Sequence, residues 1–395
     1  MYKQLMFVSV ALALAGGSSS ARAQLFDFGS DGSFGTISVG DNTTMTVNLP
    51  PDGIINATTV TVGSGGTLRF NRNPLNTPVY LLATGNVLVR GQIDVSGKGG
   101  TSNPPIGGRG GPGGFDGGMP AFGGGVPPGA GHGPGAGLGQ TATVQAGLAA
   151  YGTAAPPNLA RPTNGLVYGS PLLIPMLGGS GGGGTLGSPG LGGGGGGGAI
   201  LIASNTRIDI PSPGSVIANG GRPSGCQVNE GSGGAIRLLS PVVAGNGFIE
   251  VSSGECAAAG YGRIRVDSID RTALQLGFRP NSSTTSVGST MFAFPDVIPR
   301  LDIIEAAGQI IAEGEPQPVI VLLPFGSTSS RTVYVRATHF MGEGLIPIDV
   351  VLTPDNGDRV IYPAVIDLAA NNPGQVTVNV EVPVNVNTRI EVWTR

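Results

Sequence analysis

Charge, sulfur and imidazole are scarce in this chain of 395 residues. Only 11% of its residues are charged, with 21 Lys and Arg against 24 Asp and Glu, and no basic stripe forms. Phosphate backbones are held by clustered Lys and Arg, so nucleic acid is not an expected partner. Histidine occurs only at His132 and His339, and cysteine only at Cys226 and Cys256. Neither cysteine has a CxxC partner, and the histidines are far away in sequence, which argues against a zinc-type site. No metal and no cofactor are therefore assigned. Long apolar runs are missing as well. The run 5–15 is shorter than the roughly 20 residues that span a bilayer, and nothing later is longer and equally apolar, so no transmembrane segment is expected. Helical periodicity with caps is also absent.

What replaces these is glycine. The chain holds 72, and 38 of them lie between residues 99 and 198. Within that tract the only Asp, Glu, Lys or Arg residues are Arg109, Asp116 and Arg161. Such a segment offers bare backbone in place of side-chain chemistry. It can be a flexible coil, the default for glycine-rich linkers. It can also be a bundle of extended three-fold helices that pair with neighbours because they have no internal hydrogen bonds. Interspersed Phe115, Met119, Phe122, Leu138, Leu172, Leu173, Ile174 and Met176, with separate runs at 181–184 and 192–198, favour packing. The large ordering entropy of glycine opposes it.

The N-terminus reads as a secretory signal. Lys3 supplies a positive start, 5–15 the apolar stretch, and Ala21-Arg22-Ala23 a small-x-small cleavage site before Gln24. Losing Lys3 and Arg22 would take the formal charge from -3 to -5. The expected location is extracellular or at the cell surface, with the periplasm as an alternative. In an oxidising compartment Cys226 and Cys256 are expected to form a disulfide. Closing that loop would restrict the unfolded chain by roughly 3–4 kcal/mol.

Residues 35–97 alternate apolar and polar positions in short runs broken by Gly, Asn or Pro, which is strand patterning. A repeat of about 22 residues then emerges. One copy opens at Val79-Tyr80-Leu81-Leu82-Ala83, a second at Ala199-Ile200-Leu201-Ile202-Ala203, a third at Ala235-Ile236-Arg237-Leu238-Leu239. A truncated fourth opens at Gly262-Arg263-Ile264-Arg265-Val266. Each reads strand, bend, strand, bend, strand, the size of one coil of a parallel β-helix, whose apolar side chains are buried only by stacking on neighbours. An antiparallel sandwich or barrel is the alternative. After a junction, alternating segments at 319–323, 332–337, 346–352, 375–381 and 389–393 are separated by turns such as Asp355-Asn356-Gly357. They predict an immunoglobulin-like β-sandwich without its Cys-Trp-Cys pattern.

The fold class expected is thus all-β: a parallel β-helix-like solenoid with a polyglycine-II-like insertion, then an immunoglobulin-like β-sandwich. The organisation expected is a signal peptide over 1–23, coils over 24–98, the glycine-rich insertion over 99–198, further coils over 199–279, a junction over 280–300 and the sandwich over 301–395.

Runs such as Gly178-Gly179-Ser180-Gly181-Gly182, Gly197-Gly198-Ala199-Ile200 and Gly231-Ser232-Gly233-Gly234-Ala235-Ile236-Arg237-Leu238 carry a resemblance. So do Val79-Tyr80-Leu81-Leu82-Ala83-Thr84-Gly85 and Gly262-Arg263-Ile264-Arg265-Val266. The chain resembles a glycine-rich family of uncharacterised exported bacterial surface or secreted proteins. That resemblance covers most of the mature chain, implies no activity and supplies no catalytic residues.

Candidate chemistry is thin. Asp94, Asp209 and Glu250 occupy similar places in the repeat and could form an acid column on one face, with Arg207, Arg237, Arg263 and Arg265 as the nearby bases. Acid and base on one solenoid face would suit a polysaccharide lyase or hydrolase. Charged residues on the outer face of a strand are more often simply solvated, and stacked acids repel unless a cation separates them. Ser180 sits in a Gly-x-Ser-x-Gly match, which a glycine tract produces by chance. No catalytic residue is assigned. The function expected is an exported structural or adhesive protein, with a carbohydrate-active β-helix enzyme as the alternative. The candidate partners are a cell-surface or extracellular polysaccharide or protein.

Overall fold

The computed structural model describes residues 26–394 except 124, 188–189, 224–228, 255–258, 281–283, 296, 298, 316, 341–343 and 370–373. The signal segment and both Cys226 and Cys256 lie outside the described residues, and so does their expected disulfide. The chain is all-β, with a curled parallel sheet at its centre.

Strands of like position in successive repeats stack in parallel. Val79–Ala83, Ala199–Ser204, Ala235–Leu239, Arg263–Asp267 and Thr285–Gly288 form one row. Val87–Val89, Arg207–Asp209 and Val242–Ala244 form a second. Gln92–Asp94, Ser215–Ile217, Phe248–Glu250 and Gly277–Arg279 form a third. The register aligns Val79, Ile200, Ile236 and Ile264 on one ladder and Leu81, Ile202, Leu238 and Val266 on the next but one. Alternation turns these side chains inward, where all eight are essentially fully buried. The stack includes the expected N-terminal coils and extends past the C-terminal end expected from sequence. Ile54–Val62 pairs with Val79–Ala83 through its first half and with Val87–Val89 through its second, turning a corner within one strand. Thr285–Gly288 carries the first row into the segment expected to be a junction.

The glycine tract has no ladder strands of its own over most of its length, yet its backbone is paired. Residues 192–198 show the rule. The N–H groups of Gly192, Gly195 and Gly198 donate to Thr101, Lys98 and Val95; those of Gly193 and Gly196 to Gly118 and Phe115; those of Gly194 and Gly197 to Asn229 and Ser232. The neighbour changes with every residue and returns after three. The carbonyls follow the same rule: Gly193 and Gly196 accept from Gly108 and Gly111, Gly194 and Gly197 from Gly182 and Gly179, and Gly195 from Gly221. One extended segment is therefore enclosed by six others. A side chain has no room: a Cβ on Gly193, Gly194 or Gly196 would overlap the carbonyl oxygen of Gly182, Gly221 or Gly179. The bundle also recruits segments outside 99–198, at 95–98, 218–221, 229–234 and 260–262, so it belongs to the coils as much as to the insertion.

The rest of the insertion covers the outer face of the first row. Tyr151, Leu173 and Met176 pack with Leu82, Leu201, Ala203 and Leu239, and Ala293 closes the same apolar layer. Beyond it, two antiparallel sheets face each other. One runs Gln309–Ile310, Arg300–Ala306, Ser330–Thr338, Gly374–Glu381, the other Val360–Asp367, Leu345–Pro354, Thr388–Thr394. Val333, Val335, Ile348, Val350, Leu352 and Val380 fill the space between them. The expected strand at 319–323 is not formed. No strand among the described residues pairs with it, and Ile320, Leu322 and Phe325 are 83%, 87% and 104% exposed. His339 lies just past the end of Ser330–Thr338, in a left-handed conformation at φ 63°.

Candidate functional site

The acid column does not assemble. Asp94 and Glu250 share a ladder in the third row, but Ile217 lies between them. Asp209 lies in the second row, between Leu88 and Ala244. Each acid has a cation instead: Asp94 with Arg69 at 3.0 Å, Glu250 with Arg279 at 3.8 Å, Asp209 with Arg207 at 3.4 Å. Repulsion between stacked carboxylates is thereby avoided, and no cation is needed to relieve it. Among the described residues, no group of three or more His, Cys, Asp or Glu could hold a metal ion.

The expected solvated arginines are a second correction. Arg237 and Arg265 are side-by-side partners on the outer face of the first row, and both are buried. Two like charges at that spacing would repel. Asp267 sits between them, its Oδ2 3.1 Å from Arg237 Nε and its Oδ1 2.6 Å from Arg265 Nη2. Arg237 Nη2 then donates to the carbonyls of Thr290 and Phe292 at 3.0 Å each. The cluster clamps the chain at 290–292 onto the sheet, which is why these charges are hidden. Arg263 is used similarly: its guanidinium donates to the Tyr168 carbonyl and lies over the Tyr151 ring. Ser180 is fully buried and donates to the Tyr168 hydroxyl, which in turn donates to the Gly178 carbonyl. Its place in the Gly-x-Ser-x-Gly match is structural.

Sequence reasoning missed a polar cluster where the glycine bundle meets the C-terminal sheets. Asp116 makes a bidentate pair with Arg72 at 2.5 and 2.9 Å, accepts from the Gly110 N–H, and lies 3.7 Å from Arg389. Burial alone would push its carboxyl up, but Arg72 and the Gly110 N–H outweigh that and hold it below the usual range. His132 is 7% exposed, and its Nδ1 has no partner among the described residues. Burial, then the Arg389 guanidinium, pushes its pKa down to about 3, so it is neutral. Glu391 is half-buried with Oε2 out of solvent, and burial pushes its pKa up to about 7. In the sequence, His132 stands out as one of two histidines and Asp116 as one of three charged residues in the glycine tract, but nothing there places them together.

Beside this cluster a cavity of about 700 Å³ opens between the first row, the insertion and the C-terminal sheets. Tyr80, Leu201, Leu173, Phe294, Phe340 and Trp393 are part of its wall, and no charged side chain among the described residues lines it. Tyr80 and Phe294 rings lie 4.9 Å apart, and burial pushes the Tyr80 hydroxyl up to about 12, so it stays protonated. Trp393, the chain's only tryptophan, is held edge-on by Phe115 at 5.5 Å. The volume and lining are those of a site for apolar groups. No helix among the described residues is long and apolar enough to cross a membrane.

Comparison with known proteins finds no matching family model, no similar curated protein and no similar solved structure. The functional reading therefore rests on the geometry.

Proposed function

We propose that this is an exported structural or adhesive protein, associated with the cell surface or an extracellular matrix. In this reading the stacked rows are a parallel β-helix, the glycine bundle is polyglycine II, and the C-terminal sheets are an immunoglobulin-like module, as the repeat length, the glycine runs and the alternating C-terminal segments predict. One observation carries it. The three-residue hydrogen-bond rule ties the insertion, the coils and their connecting segments into one body whose cement is backbone. Such a body is rigid and offers few reactive groups, which suits bearing load or presenting a surface. The charged groups that an enzyme reading would recruit are occupied elsewhere: Arg237 and Arg265 by Asp267, Asp94 by Arg69, Glu250 by Arg279. The exposed apolar run at 319–325 is the kind of patch that marks an interaction surface.

The test has two arms. Tagged protein produced in an exporting bacterial host is expected outside the cytoplasm, beginning at Gln24. Purified protein incubated with neutral and acidic polysaccharides is expected to release no oligosaccharide while being retained on surfaces or glycans. Sustained turnover of any polysaccharide would replace this reading with the carbohydrate-active one.

A further inference from the structure

We propose that copies of this chain join end to end, the first coil of one stacking on the last coil of the next, so that the parallel rows run on through the joint. This deepens the structural reading and rests on it only for its biological purpose.

The rows end in open strand edges. At the head, Gly35–Val39 pairs with Ile54–Val62, and Thr44–Asn48 with Thr67–Asn71. At the tail, Gly277–Arg279 pairs with Phe248–Glu250, and Thr285–Gly288 with Arg263–Asp267. Among the described residues no further strand pairs with any of these four end strands. An open edge presents unpaired N–H and C=O groups to any strand of fitting shape, and proteins that stay apart blunt it with charge or proline. The head strands read Gly-Thr-Ile-Ser-Val and Thr-Met-Thr-Val-Asn, with neither.

Three observations select a second copy, placed head against tail. The first is phase. The chain enters the stack in the second row, at Gly35–Val39, and leaves it in the first, at Thr285–Gly288. It winds through the rows in the order first, second, third. In the last turn the second row is continued by bridges from Asp270 to Val242 and from Leu274 to Gly245. The stack is therefore a whole number of turns, and the position after its last strand is the one where another copy begins.

The second is the core. Ile55, Leu81, Ile202, Leu238 and Val266 form one buried ladder; Val287 prolongs it, yet is 44% exposed. Joining sets Ile55 of the next copy over Val287. In the third row it sets Met45 over Phe278, which are the two half-buried ends of the ladder through Leu68, Ile93, Val216 and Ile249. That pair is a favourable thioether–aromatic contact, and removing both ends from water drives the joint.

The third is charge. Residues 26–68 hold Asp27, Asp31, Asp41 and Asp52, all exposed, and no Lys or Arg. The charged residues of 269–288 are Asp270, Arg271 and Arg279. Arg271 Nη2 donates to the Gly288 carbonyl, which lays its guanidinium across the tail. Head against head would set acids against acids, whereas head against tail sets them against two arginines. A contact between two different patches is heterologous. Repeated, it gives an open filament or a ring and not a closed two-fold dimer.

Sedimentation velocity on the purified mature chain across a concentration series should show species beyond the dimer. Hydrogen exchange at the two ends of that series locates the joint. Amides of 36–39, 44–48, 277–279 and 285–288 should gain protection at high concentration, and those of 319–325 should not. Ser38→Lys with Thr46→Lys blunts the head at exposed positions, and Val287→Lys puts a charge on the last rung of the tail. Each variant alone should stay monomeric. Mixed, they should form dimers and stop, because each pair has one working head and one working tail. If Val287→Lys does not fold, exchange on the wild type still decides, since it needs no variant. Four results would overturn the proposal: wild type monomeric at its highest soluble concentration, wild type that stops at a dimer, assembly that survives the head substitutions, or protection gained elsewhere and not at the four edges. None of these would touch the polysaccharide assay or the export test, so failure here is separable from failure of the structural reading.

Discussion

At the scale of single residues, burial decides which charges matter. Asp267 holds two arginines that neighbouring strands place side by side, and it is itself fully buried. Removing it would leave two guanidiniums out of water with like charge and no counterion. Breaking a buried pair of this kind costs about 3–5 kcal/mol. Asp209→Ala is the matched control, since its pair with Arg207 is over a third exposed on both sides. That loss should stay below about 1 kcal/mol. Urea unfolding of Asp267→Ala and Asp209→Ala should show this contrast, and equal midpoints would mean the clamp is not stabilising. Alternation of Arg265 with Ile264 and Val266 correctly says that the arginine faces out of the coil. It cannot say that 290–294 covers that face, because the cover comes from a segment distant in sequence. The error over Asp209 has a different origin. Asp209 ends the second strand of its coil, whereas Asp94 and Glu250 end the third, and period-two patterning does not number the strands.

At the scale of elements, the repeat was legible because each copy buries the same positions. Val79, Ile200, Ile236 and Ile264 are separated by intervals as different as 121 and 36 residues, yet they share one ladder. The 22-residue spacing cannot reveal that glycine-rich stretches at 218–221, 229–234 and 260–262 enter the same bundle as the long tract, since each alone reads as a bend. The strand expected at 319–323 shows the converse: propensity without an edge or a cover gives no strand. For the bundle, the physical claim is that side chains are excluded by neighbouring carbonyls. Gly193→Val, Gly194→Val and Gly196→Val combined should overpack three sites, each at the roughly 1–3 kcal/mol typical of overpacked interiors or more. The triple variant should lose many degrees of Tm, while Gly123→Val, where a Cβ meets nothing within 4 Å, should leave Tm unchanged. Hydrogen exchange supplies the second readout: amides of 192–198 should exchange slowly in the wild type and fast in the triple variant. Rapid exchange in the wild type would return the tract to a solvated spacer.

At the scale of the whole molecule, the question is whether the C-terminal sheets are fastened to the bundle or merely follow it in the chain. Contacts among the described residues fasten them: a bridge between Gly129 and Gly357, Asn356 donating to the Pro127 carbonyl, Arg389 near Asp116, and Phe115 against Trp393. Two titrating groups at this seam report on it, with opposite signs. His132 has its pKa lowered from 6.5 to about 3, so its burial favours the folded state fully above about 6.5 and progressively less as pH falls toward 3. Glu391 has its pKa raised from 4.5 to about 7, so its contribution is full below about 4.5 and is lost as pH rises through 7. Between about 4.5 and 6.5 the two slopes oppose each other, and the wild-type Tm should vary little with pH. Each slope should emerge when the other group is removed. Glu391→Gln leaves His132 to titrate, and its Tm should fall on acidification from pH 6.5 to 5. His132→Gln leaves Glu391, and its Tm should rise over the same interval. Arg72, Arg359, Arg389 and Asp116 also face this seam, and Asp116, its carboxyl held low, stays ionised through this range, so they set the size of both effects without changing their sign. Thermal scans of the three proteins at pH 5, 5.5, 6 and 6.5 decide it. Parallel profiles in all three would mean that the seam opens before the rest unfolds, and that the C-terminal sheets are tethered to the bundle without being docked on it.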